Sequence, residues 1–333
     1  MATGTAKDLL RFATAGSVDD GKSTLVGRLL YDTKSVLADQ IEAVQRASVD
    51  KGLTTPDLSL LVDGLRAERE QGITIDVAYR YFSTPKREFV LADTPGHVQY
   101  TRNTVTGAST AELAVLLVDA RHGVVEQTRR HAAVLALLRV PRLVLAINKI
   151  DLVGYDETAL HAIGKDFAGL ARSLGFADDA VVTIPVSALV GDNVVDRSPR
   201  TPWYAGPTLL GHLESVPVTP PEVGAPFRMP VQYVIRDHGH ADARSAGAPR
   251  GDYRGYAGQV ASGTVRPGDE VVVLPGGTRT TVSSVDTADG PLAAAGAGRS
   301  VTVRLTDDID ISRGEMLASA AQPPTVTTAL DAT

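Results

Sequence analysis

The sequence predicts an α/β domain with a mostly parallel sheet, followed by a small antiparallel β-barrel domain. From Leu9 to about Val216, strand-like runs alternate with helical patterns, which is typical of a parallel sheet covered by helices. Composition changes at Pro217-Val-Thr-Pro-Pro221, where the prolines favour an extended linker, and short strands separated by turns follow. We therefore predict a first domain at 1–216, a linker at 217–225 and a barrel domain at 226–319.

The individual strands are predicted from short runs rich in β-branched and apolar residues. In the first domain these runs are Leu9–Ala15, Ile75–Ser83, Glu88–Ala92, Ala114–Asp119, Arg142–Asn148 and Val181–Val186. Helices are predicted at Glu126–Arg139 and Asp156–Leu174, and a further helix from near Lys22. In the second domain the runs are Pro230–Ile235, Gly255–Val265, Glu270–Leu274, Thr280–Val285 and Ser300–Leu305, with a type II turn at Pro267-Gly268.

Two stretches of the second domain are predicted to be loops. Asp237–Pro249, rich in Gly, Ala and charge, reads as an exposed loop, and Leu292–Gly298 reads as a flexible connection. The first of them contains His238-Gly-His240, which would supply two ligands of a metal site. Because a catalytic zinc usually needs three protein ligands, we do not predict a metal site there.

Composition excludes several classes of protein. The 333 residues carry a formal charge of -6, which argues against broad nucleic-acid binding because phosphate contacts need basic clusters. The chain has no cysteine, which removes disulfides, thiol catalysis and thiolate metal sites. We find neither an apolar run near 18 residues nor a signal-peptide pattern, so the sequence predicts a cytoplasmic protein that does not enter membranes.

A phosphate-binding motif follows the first predicted strand. Gly16-Ser-Val-Asp-Asp-Gly-Lys22-Ser23 fits the pattern G-x-x-x-x-G-K-[ST] and lies between a strand and a helix, as the motif requires. In this pattern, backbone N–H groups cradle the phosphates, Lys22 reaches the β- and γ-phosphates, and Ser23 holds Mg²⁺. The first domain is therefore predicted to be a P-loop NTPase domain. Two further motifs make a glycine-rich turn without a ligand a negligible alternative.

The second motif, Asn148-Lys-Ile-Asp151, indicates that the bound base is guanine. Asp151 can accept the N1–H and the 2-amino group of guanine in one charge-assisted pair, and adenine lacks those two donors. The stem of Lys149 can lie along the base, and Ser187-Ala-Leu189 after the last strand would complete the pocket. The predicted guanine-binding residues are Asn148, Lys149, Asp151, Ser187, Ala188 and Leu189.

The third motif, Asp93-Thr-Pro-Gly-His97, contains candidates for metal binding and catalysis. Asp93 ends a strand where P-loop NTPases place the acid that holds Mg²⁺, and Gly96 can offer its N–H to the γ-phosphate. Thr74 is the candidate switch threonine, with strand filling as the alternative. His97 is the predicted catalytic residue that positions water, with helix-start packing as the alternative. The predicted phosphate-binding residues are Gly16, Ser17, Val18, Asp19, Asp20, Gly21, Lys22, Ser23, Thr24, Thr74, Asp93, Thr94, Pro95 and Gly96, and the predicted metal ligands are Ser23, Thr74 and Asp93.

These motifs, with Asp19 and the Gly72–Ile75 turn, resemble those of translational GTPases of the elongation factor Tu type. The resemblance implies that Val18 and Ile73 flank His97 as an apolar pair. A closer resemblance runs through Ser59–Tyr81, Gln99–Thr110 and Asp20, which are similar to the GTPase subunit of the two-subunit bacterial sulfate adenylyltransferase. This resemblance covers nearly the whole chain, and its two long stretches are more specific than the shared GTPase motifs.

The resemblance implies both an activity and a partner. In that family a separate catalytic subunit transfers AMP from ATP to sulfate, and GTP hydrolysis on the GTPase subunit drives this unfavourable reaction. We therefore expect GTP and Mg²⁺ as ligands and a catalytic sulfate adenylyltransferase subunit as partner, in a heterodimer or a higher assembly. The family's third domain has no counterpart after about Ser319, so residues 320–333 are interpreted as a linker to an absent domain.

Two other functions remain open on the sequence. A translation-type GTPase could deliver an aminoacyl-tRNA, although the negative charge and the Ser59–Tyr81 stretch speak against it. A GTP-sensing interaction module could hydrolyse GTP without driving a reaction. Binding of charged tRNA would favour the first alternative, and partner binding as the only phenotype of a His97→Ala variant would favour the second.

Overall fold

A computed structural model gives the structure of the chain and describes residues 8–50, 52, 56–62, 76–218, 224–237, 253–288 and 290–329. The chain divides into two compact units, Met1–Val218 and Thr219–Thr333. The division lies inside the linker predicted at 217–225. The other predicted domain limits stay predictions.

The first unit is built on one six-stranded sheet. Its strands are β1 (Asp8–Gly16), β2 (Ala78–Ser83), β3 (Arg87–Asp93), β4 (Leu113–Asp119), β5 (Leu143–Asn148) and β6 (Val181–Pro185). Their order across the sheet is β2-β3-β1-β4-β5-β6, and every pair is parallel except β2 with β3. The prediction of a mostly parallel sheet is therefore confirmed.

Helices lie in the crossover connections that parallel pairing requires, and one more follows the last strand of the sheet. They are α1 (Lys22–Asp32), α2 (Ala38–Asp50), α3 (Thr101–Ala108), α4 (Glu126–Leu137), α5 (Glu157–Ser173) and α6 (Leu209–Ser215). α5 begins where the Asp156 side chain accepts hydrogen bonds from the N–H groups of Thr158 and Ala159, at 2.9 and 3.4 Å. The two predicted long helices are confirmed, each slightly shorter than expected.

The core lies on both faces of this sheet, and β4 shows why. All seven of its residues are buried. Successive side chains of a strand point to opposite faces, so Leu113, Val115 and Leu117 belong to one apolar cluster, while Ala114, Leu116 and Val118 belong to the other. A strand that is buried on both faces is a continuous apolar run, which is how it was recognised in the sequence.

The sheet brings the three sequence motifs to one edge. β1 ends at Gly16, β3 at Asp93 and β5 at Asn148. Because these strands are parallel and in register, with Thr14 beside Asp93 and Asp119 beside Asn148, their carboxyl ends lie at the same edge. Ligands of open α/β sheets bind at this edge.

The second unit is a closed antiparallel barrel. Its strands are β7 (Arg228–Pro230), β8 (Tyr233–Asp237), β9 (Tyr253–Gln259), β10 (Thr264–Val265), β11 (Glu270–Leu274), β12 (Thr278–Thr287), β13 (Gly290–Pro291), β14 (Ala295–Gly296), β15 (Ser300–Leu305) and β16 (Met316–Ser319). β7 pairs with β16, and β8 pairs with β9. Between β7 and β8, the N–H of Val231 donates to the carbonyl of Glu315 at 2.7 Å, and the N–H of Gln232 donates to the carbonyl of Ala257 at 2.9 Å. This one stretch therefore closes the ring β9-β15-β12-β11-β16, and the predicted fold class is confirmed.

The barrel differs from the sequence prediction in several places, and its strands β13 and β16 were not predicted. The run Pro230–Ile235 is divided between β7 and β8, and Gly255–Val265 between β9 and β10, because the chain changes its pairing partner within each run. The flexible connection predicted at Leu292–Gly298 is wrong, since Ala295 is 1% exposed and pairs with Val265. The small residues of this stretch allow close packing and do not make the backbone flexible. His238 and His240, the two histidines of the loop predicted at Asp237–Pro249, lie outside the described residues.

Within the part of the chain that the structure describes, no helix is both long enough and apolar enough to cross a membrane.

The contact between α1 and the Leu58–Leu61 turn provides a test of the packing. A Cβ added at Gly27 would lie 2.0 Å from the carbonyl oxygen of Leu58. Gly27→Ala should therefore lower the free energy of unfolding by about 1–3 kcal/mol, despite the better helix propensity of alanine. Urea unfolding monitored by the fluorescence of Trp203, the single tryptophan, measures this in the first unit.

The matched control is Gly169→Ala on α5, where an added Cβ meets no atom within 4 Å. This exposed helix position should gain up to about 1 kcal/mol. Equal effects of the two substitutions would contradict the packing described for Gly27.

Candidate nucleotide-binding site

The loop between β1 and α1 has the backbone shape that its glycines allow. Asp19 and Gly21 adopt left-handed conformations, with φ of 68° and 86°. A Cβ added at Gly21 would lie 2.4 Å from Nδ2 of Asn148, so only glycine fits this turn. Gly21 is also the N-cap of α1, which begins at Lys22. The first N–H groups of a helix have no intrahelical partner, and here they form the end of the loop.

A buried ion pair lies beneath this loop. Asp93 is fully buried at the end of β3, and its Oδ1 accepts a hydrogen bond from Oγ1 of Thr14 at 2.9 Å. The same oxygen lies 3.1 Å from Nζ of Lys22. The other carboxylate oxygen, Oδ2, has no hydrogen-bond partner among the described residues. A buried carboxylate oxygen without a partner is costly, so this atom is suited to a cation or to water bound to one.

Asp20 is a second buried carboxylate of the loop. Its Oδ2 accepts the N–H of Ser17 at 2.7 Å. Burial raises the pKa of Asp20 to about 6; the Ser17 hydrogen bond opposes this shift, and the negative charge of Asp119 adds to it. The loop therefore holds a carboxylate that is only weakly favoured in its charged form.

Asn148 joins the phosphate loop to the predicted base-binding loop. It is 2% exposed at the end of β5, and its Nδ2 donates to the carbonyl of Asp20 at 2.7 Å. Its Oδ1 accepts the N–H of Ala188 at 2.9 Å. Both polar atoms of the amide are thus engaged by the protein. The structure shows Asn148 positioning two loops, and its direct contact with the base stays a prediction.

Lys149 is anchored at the same junction. It has a left-handed backbone with φ of 63°, and its Nζ donates to the carbonyl of Asp19. Nζ also lies 2.9 Å from Oδ2 of Asp119, a buried carboxylate at the end of β4. The Nζ of Lys149 is therefore fixed at the loop by two acceptors, and the packing of its stem along a base stays a prediction.

Sequence reasoning missed Asp119 and its partner Arg121. Arg121 donates to both carboxylate oxygens, from Nε at 3.0 Å and from Nη2 at 2.6 Å. Burial alone would raise the pKa of Asp119, but the hydrogen bonds from Arg121 and Lys149 outweigh it and hold that pKa well below its usual range. The sequence feature that could have identified Asp119 is its position at the carboxyl end of a buried strand, which is also the position of Asp93.

One of the predicted guanine-binding residues has an unpaired carboxylate oxygen. Asp151 lies in the short turn Ile150–Val153 after β5, and its Oδ1 is buried without a hydrogen-bond partner among the described residues. Ser187 and Ala188 are buried, whereas Leu189 is 58% exposed. A buried acceptor without a partner is suited to donors such as those of guanine.

The segment after β3 approaches the phosphate loop closely. A Cβ added at Gly96 would lie 2.6 Å from the carbonyl oxygen of Gly16. Thr94 is held by donating to the carbonyl of Thr14 at 2.7 Å. His97 follows, half-buried, and its Nδ1 accepts the N–H of Gln99 at 3.3 Å. Thr74 and Ile73 lie outside the described residues, so their predicted roles stay predictions.

A polar pair on α4 supports this segment and was not predicted. Nε2 of Gln127 lies 3.4 Å from the carbonyl oxygen of Gly96 and 3.0 Å from Nε2 of His131. His131 is fully buried; this burial, together with the charge of Lys22, lowers its pKa to about 4. The imidazole is therefore neutral near pH 7. The sequence feature that could have identified this pair is the spacing of two polar residues, Gln127 and His131, at i and i+4 on a mostly apolar helix face.

The structure brings most of the predicted site residues together at one sheet edge. Those on the phosphate loop and the first turn of α1 are Gly16, Ser17, Val18, Asp19, Asp20, Gly21, Lys22, Ser23 and Thr24. Those after β3 are Asp93, Thr94, Pro95, Gly96 and His97, and those after β5 and β6 are Asn148, Lys149, Asp151, Ser187, Ala188 and Leu189. No bound molecule tests the individual roles, which stay predictions.

Comparison with known proteins identifies the family. The family model described as elongation factor Tu GTP binding domain matches residues 7–223. The chain is 53% identical over 333 residues to sulfate adenylyltransferase subunit 1 of Methylorubrum populi, covering 99% of this chain and 68% of that protein. The chain belongs to the sulfate adenylyltransferase subunit 1 family. That family lies within the elongation-factor-Tu-type GTP-binding proteins, as the resemblance in the sequence implied.

Other relatives of this subunit 1 family member agree. The bifunctional enzyme CysN/CysC of Mycobacterium tuberculosis is 57% identical over 325 residues, which cover 98% of this chain and 51% of that protein. The chain thus spans about half the length of that relative. Among solved structures, the S. cerevisiae Ski7 GTPase-like domain, bound to GDP and inorganic phosphate, has a TM-score of 0.65 at 20% identity, covering 94% of this chain and 76% of that one. This last likeness concerns the fold.

The raised pKa of Asp20 predicts a pH dependence of stability. Between its ordinary pKa of 3.8 and about 6 the folded state binds more protons at Asp20 than the unfolded state. Stability from this group therefore falls as pH rises through that window. Asp20→Asn keeps an acceptor for Ser17 without the charge. Its free energy of unfolding relative to wild type should rise by roughly 2–3 kcal/mol from pH 4 to pH 6.5.

Urea unfolding monitored by Trp203 fluorescence, repeated from pH 4 to pH 7.5, measures this difference. His131 contributes in the opposite direction, because its lowered pKa makes the protein less stable as pH falls. This contribution is the same in wild type and in Asp20→Asn, so it cancels in their difference. A difference that stays flat across the window would contradict the buried, weakly charged state of Asp20.

Proposed function

We propose that this chain is the GTP-hydrolysing component of a sulfate adenylyltransferase, whose GTP hydrolysis drives the transfer of AMP from ATP to sulfate on a partner catalytic subunit. The observation that carries the proposal is 53% identity to a sulfate adenylyltransferase subunit 1 over two thirds of its length. The products of the driven reaction are adenylyl sulfate and pyrophosphate. The name "subunit 1" supports a partner subunit, and we propose a heterodimer or a higher assembly.

The arrangement of the loops supports GTP as the ligand. The phosphate loop presents the N–H groups at the start of α1, and Lys22 lies at the loop to reach the β- and γ-phosphates. The unpartnered Oδ1 of Asp151 supports recognition of guanine through its N1–H and 2-amino group. Adenine would leave that buried oxygen unpaired, so the site discriminates against ATP.

The oxygen atoms near the phosphate loop fit Mg²⁺. The hydroxyl of Ser23 and the unpartnered carboxylate oxygen of Asp93 are hard donors of the kind Mg²⁺ prefers, and we propose Thr74 as a third. Among the described residues, no three His, Cys, Asp or Glu side chains form a metal cluster. A Mg²⁺ bound partly through nucleotide phosphates needs only one or two protein ligands. The ion would neutralise charge on the phosphates during transfer.

We propose that His97 positions the attacking water. Gly96 approaches the phosphate loop, and His97 follows it directly, half-buried and hydrogen-bonded through Nδ1. Because Nδ1 accepts the N–H of Gln99, Nε2 is the ring nitrogen that would contact the water. Lys22 holds the transferred phosphoryl group, so the residues of this chain supply orientation and charge compensation.

The test of the proposed function is adenylyl sulfate formation from ATP and sulfate by this chain combined with a catalytic sulfate adenylyltransferase subunit. Product should exceed that of the catalytic subunit alone when GTP is present. GDP or a non-hydrolysable GTP analogue should not produce this excess. The same yield with and without GTP would overturn the proposal.

A substitution separates hydrolysis from binding. His97→Ala should slow the single-turnover hydrolysis of bound GTP by about 10²-fold, because a positioned proton-accepting or water-orienting group contributes on that scale. The affinity for GDP should change by less than about twofold, since the γ-phosphate is absent. Rapid-quench measurement of phosphate release and titration with fluorescent GDP give the two values.

The matched control is His161→Ala, which removes a histidine that is 70% exposed on α5. This variant should hydrolyse GTP at the wild-type rate. Unchanged hydrolysis by His97→Ala would show that His97 serves the packing of its segment instead.

A further inference from the structure

The base-recognition loop Ser187–Leu189 is held from a side that the sequence motifs do not include. Arg28 donates from Nε to the carbonyl of Ala188 at 3.1 Å and from Nη2 to the carbonyl of Leu189 at 2.6 Å. Arg28 lies on α1, six residues after Lys22 and 160 residues before Ala188. One guanidinium therefore holds two consecutive carbonyls of the loop.

The guanidinium is itself fixed by its neighbours. Its Nη1 lies 3.4 Å from Oδ1 of Asp32, one turn further along α1. Its central carbon lies 5.9 Å from the centre of the Tyr31 ring, within the range of a cation–π contact. Arg28 is only 19% exposed, so most of the side chain is shielded from solvent. A planar fork held in this way presents two N–H groups from different nitrogens at a fixed spacing, which the single flexible ammonium of a lysine does not reproduce.

The two hydrogen bonds from Arg28 determine the direction of one backbone N–H group. The peptide bond is planar and trans, so fixing the carbonyl of Ala188 also fixes the N–H of Leu189 on the opposite side. The N–H groups on either side of it are used within the protein: Ala188 donates to Asn148, and Val190 donates to Oγ of Ser187 at 3.3 Å. The N–H of Leu189 has no acceptor among the described residues.

We propose that Arg28 is a positioning residue for guanine recognition, which holds the N–H of Leu189 ready to donate to O6 of the base. The proposal rests on the GTP binding proposed above. Guanine has a hydrogen-bond acceptor at position 6, where adenine has an amino donor, so a fixed N–H at this point favours guanine. Asp151 would accept from the N1–H and the 2-amino group, and the N–H of Leu189 would donate to O6.

Arg28 also links recognition of the base to binding of the phosphates. The same helix begins with Lys22 and Ser23 at the phosphate loop and carries Arg28 to the base loop. Together with the contact of Asn148 to Asp20 and Ala188, this gives two independent ties between the two loops. Without Arg28 the loop keeps one tie, and the direction of the Leu189 N–H is no longer fixed.

The test compares three nucleotides that differ on the base. GDP has O6, the N1–H and the 2-amino group, the inosine diphosphate lacks the 2-amino group, and the 2-aminopurine riboside diphosphate lacks O6 and the N1–H; each variant is therefore compared with wild type on the same nucleotide. Arg28→Ala should weaken GDP and the inosine diphosphate by about tenfold each, and the O6-lacking analogue by less than twofold. Arg28→Lys should lie between wild type and Arg28→Ala, because an ammonium keeps the charge and the donors but not their two fixed directions.

The matched control is Arg172→Ala, which removes an arginine that is 62% exposed on α5 and pairs with Asp178. It should bind all three nucleotides like wild type. Circular dichroism melting of each variant confirms that it is folded.

Two results would overturn the proposal while leaving GTP binding intact. One is a folded Arg28→Ala variant that binds GDP within twofold of wild type. The other is an equal loss of affinity for all three nucleotides, which would indicate general loosening of the unit. Failure of the wild-type chain to bind GDP would instead overturn the proposed function together with this inference.

Discussion

The buried amide of Asn148 is the interaction on which the arrangement of the nucleotide site depends. It connects the carbonyl of Asp20 in the phosphate loop with the N–H of Ala188 after β6, at 2.7 and 2.9 Å. Both contacts are buried, so removing the amide would leave a carbonyl and an N–H without partners, each at a cost of about 1–3 kcal/mol. The parallel sheet places the loops side by side, and this side chain sets the spacing between them.

The charges beneath these loops form a connected set rather than isolated groups. Asp20 and Asp119 are both buried, yet their pKa values move in opposite directions. Asp119 receives hydrogen bonds from two cationic side chains, Arg121 and Lys149, whereas Asp20 receives mainly one backbone N–H. Burial therefore dominates at Asp20, and the cations dominate at Asp119. An anionic ligand at this loop meets one carboxylate that is firmly charged and one that can accept a proton.

The second unit shows how a barrel forms from short strands. The stretch from Arg228 to Asp237 pairs first with β16 and then with β9, so no strand edge is left open between them. The apolar side chains of this ring, including the fully buried Tyr256, fill its interior. The small residues around Ala295 pack closely against the barrel, which is why the alanine- and glycine-rich stretch there is ordered.

The sequence by itself determined the strands of the first unit, the two long helices, the fold class and the three motifs at the carboxyl ends of strands. These depend on local periodicity and on residues that are adjacent in the chain, such as the glycines that permit the turn before Lys22. Only the tertiary structure decided which distant groups meet. Arg28 meets Ala188 across 160 residues, and Asn148 meets Asp20 across 128. Such contacts depend on strand register and loop direction, which a linear sequence does not specify. The pKa values of Asp20, Asp119 and His131 depend in the same way on burial and on partners brought together by the fold.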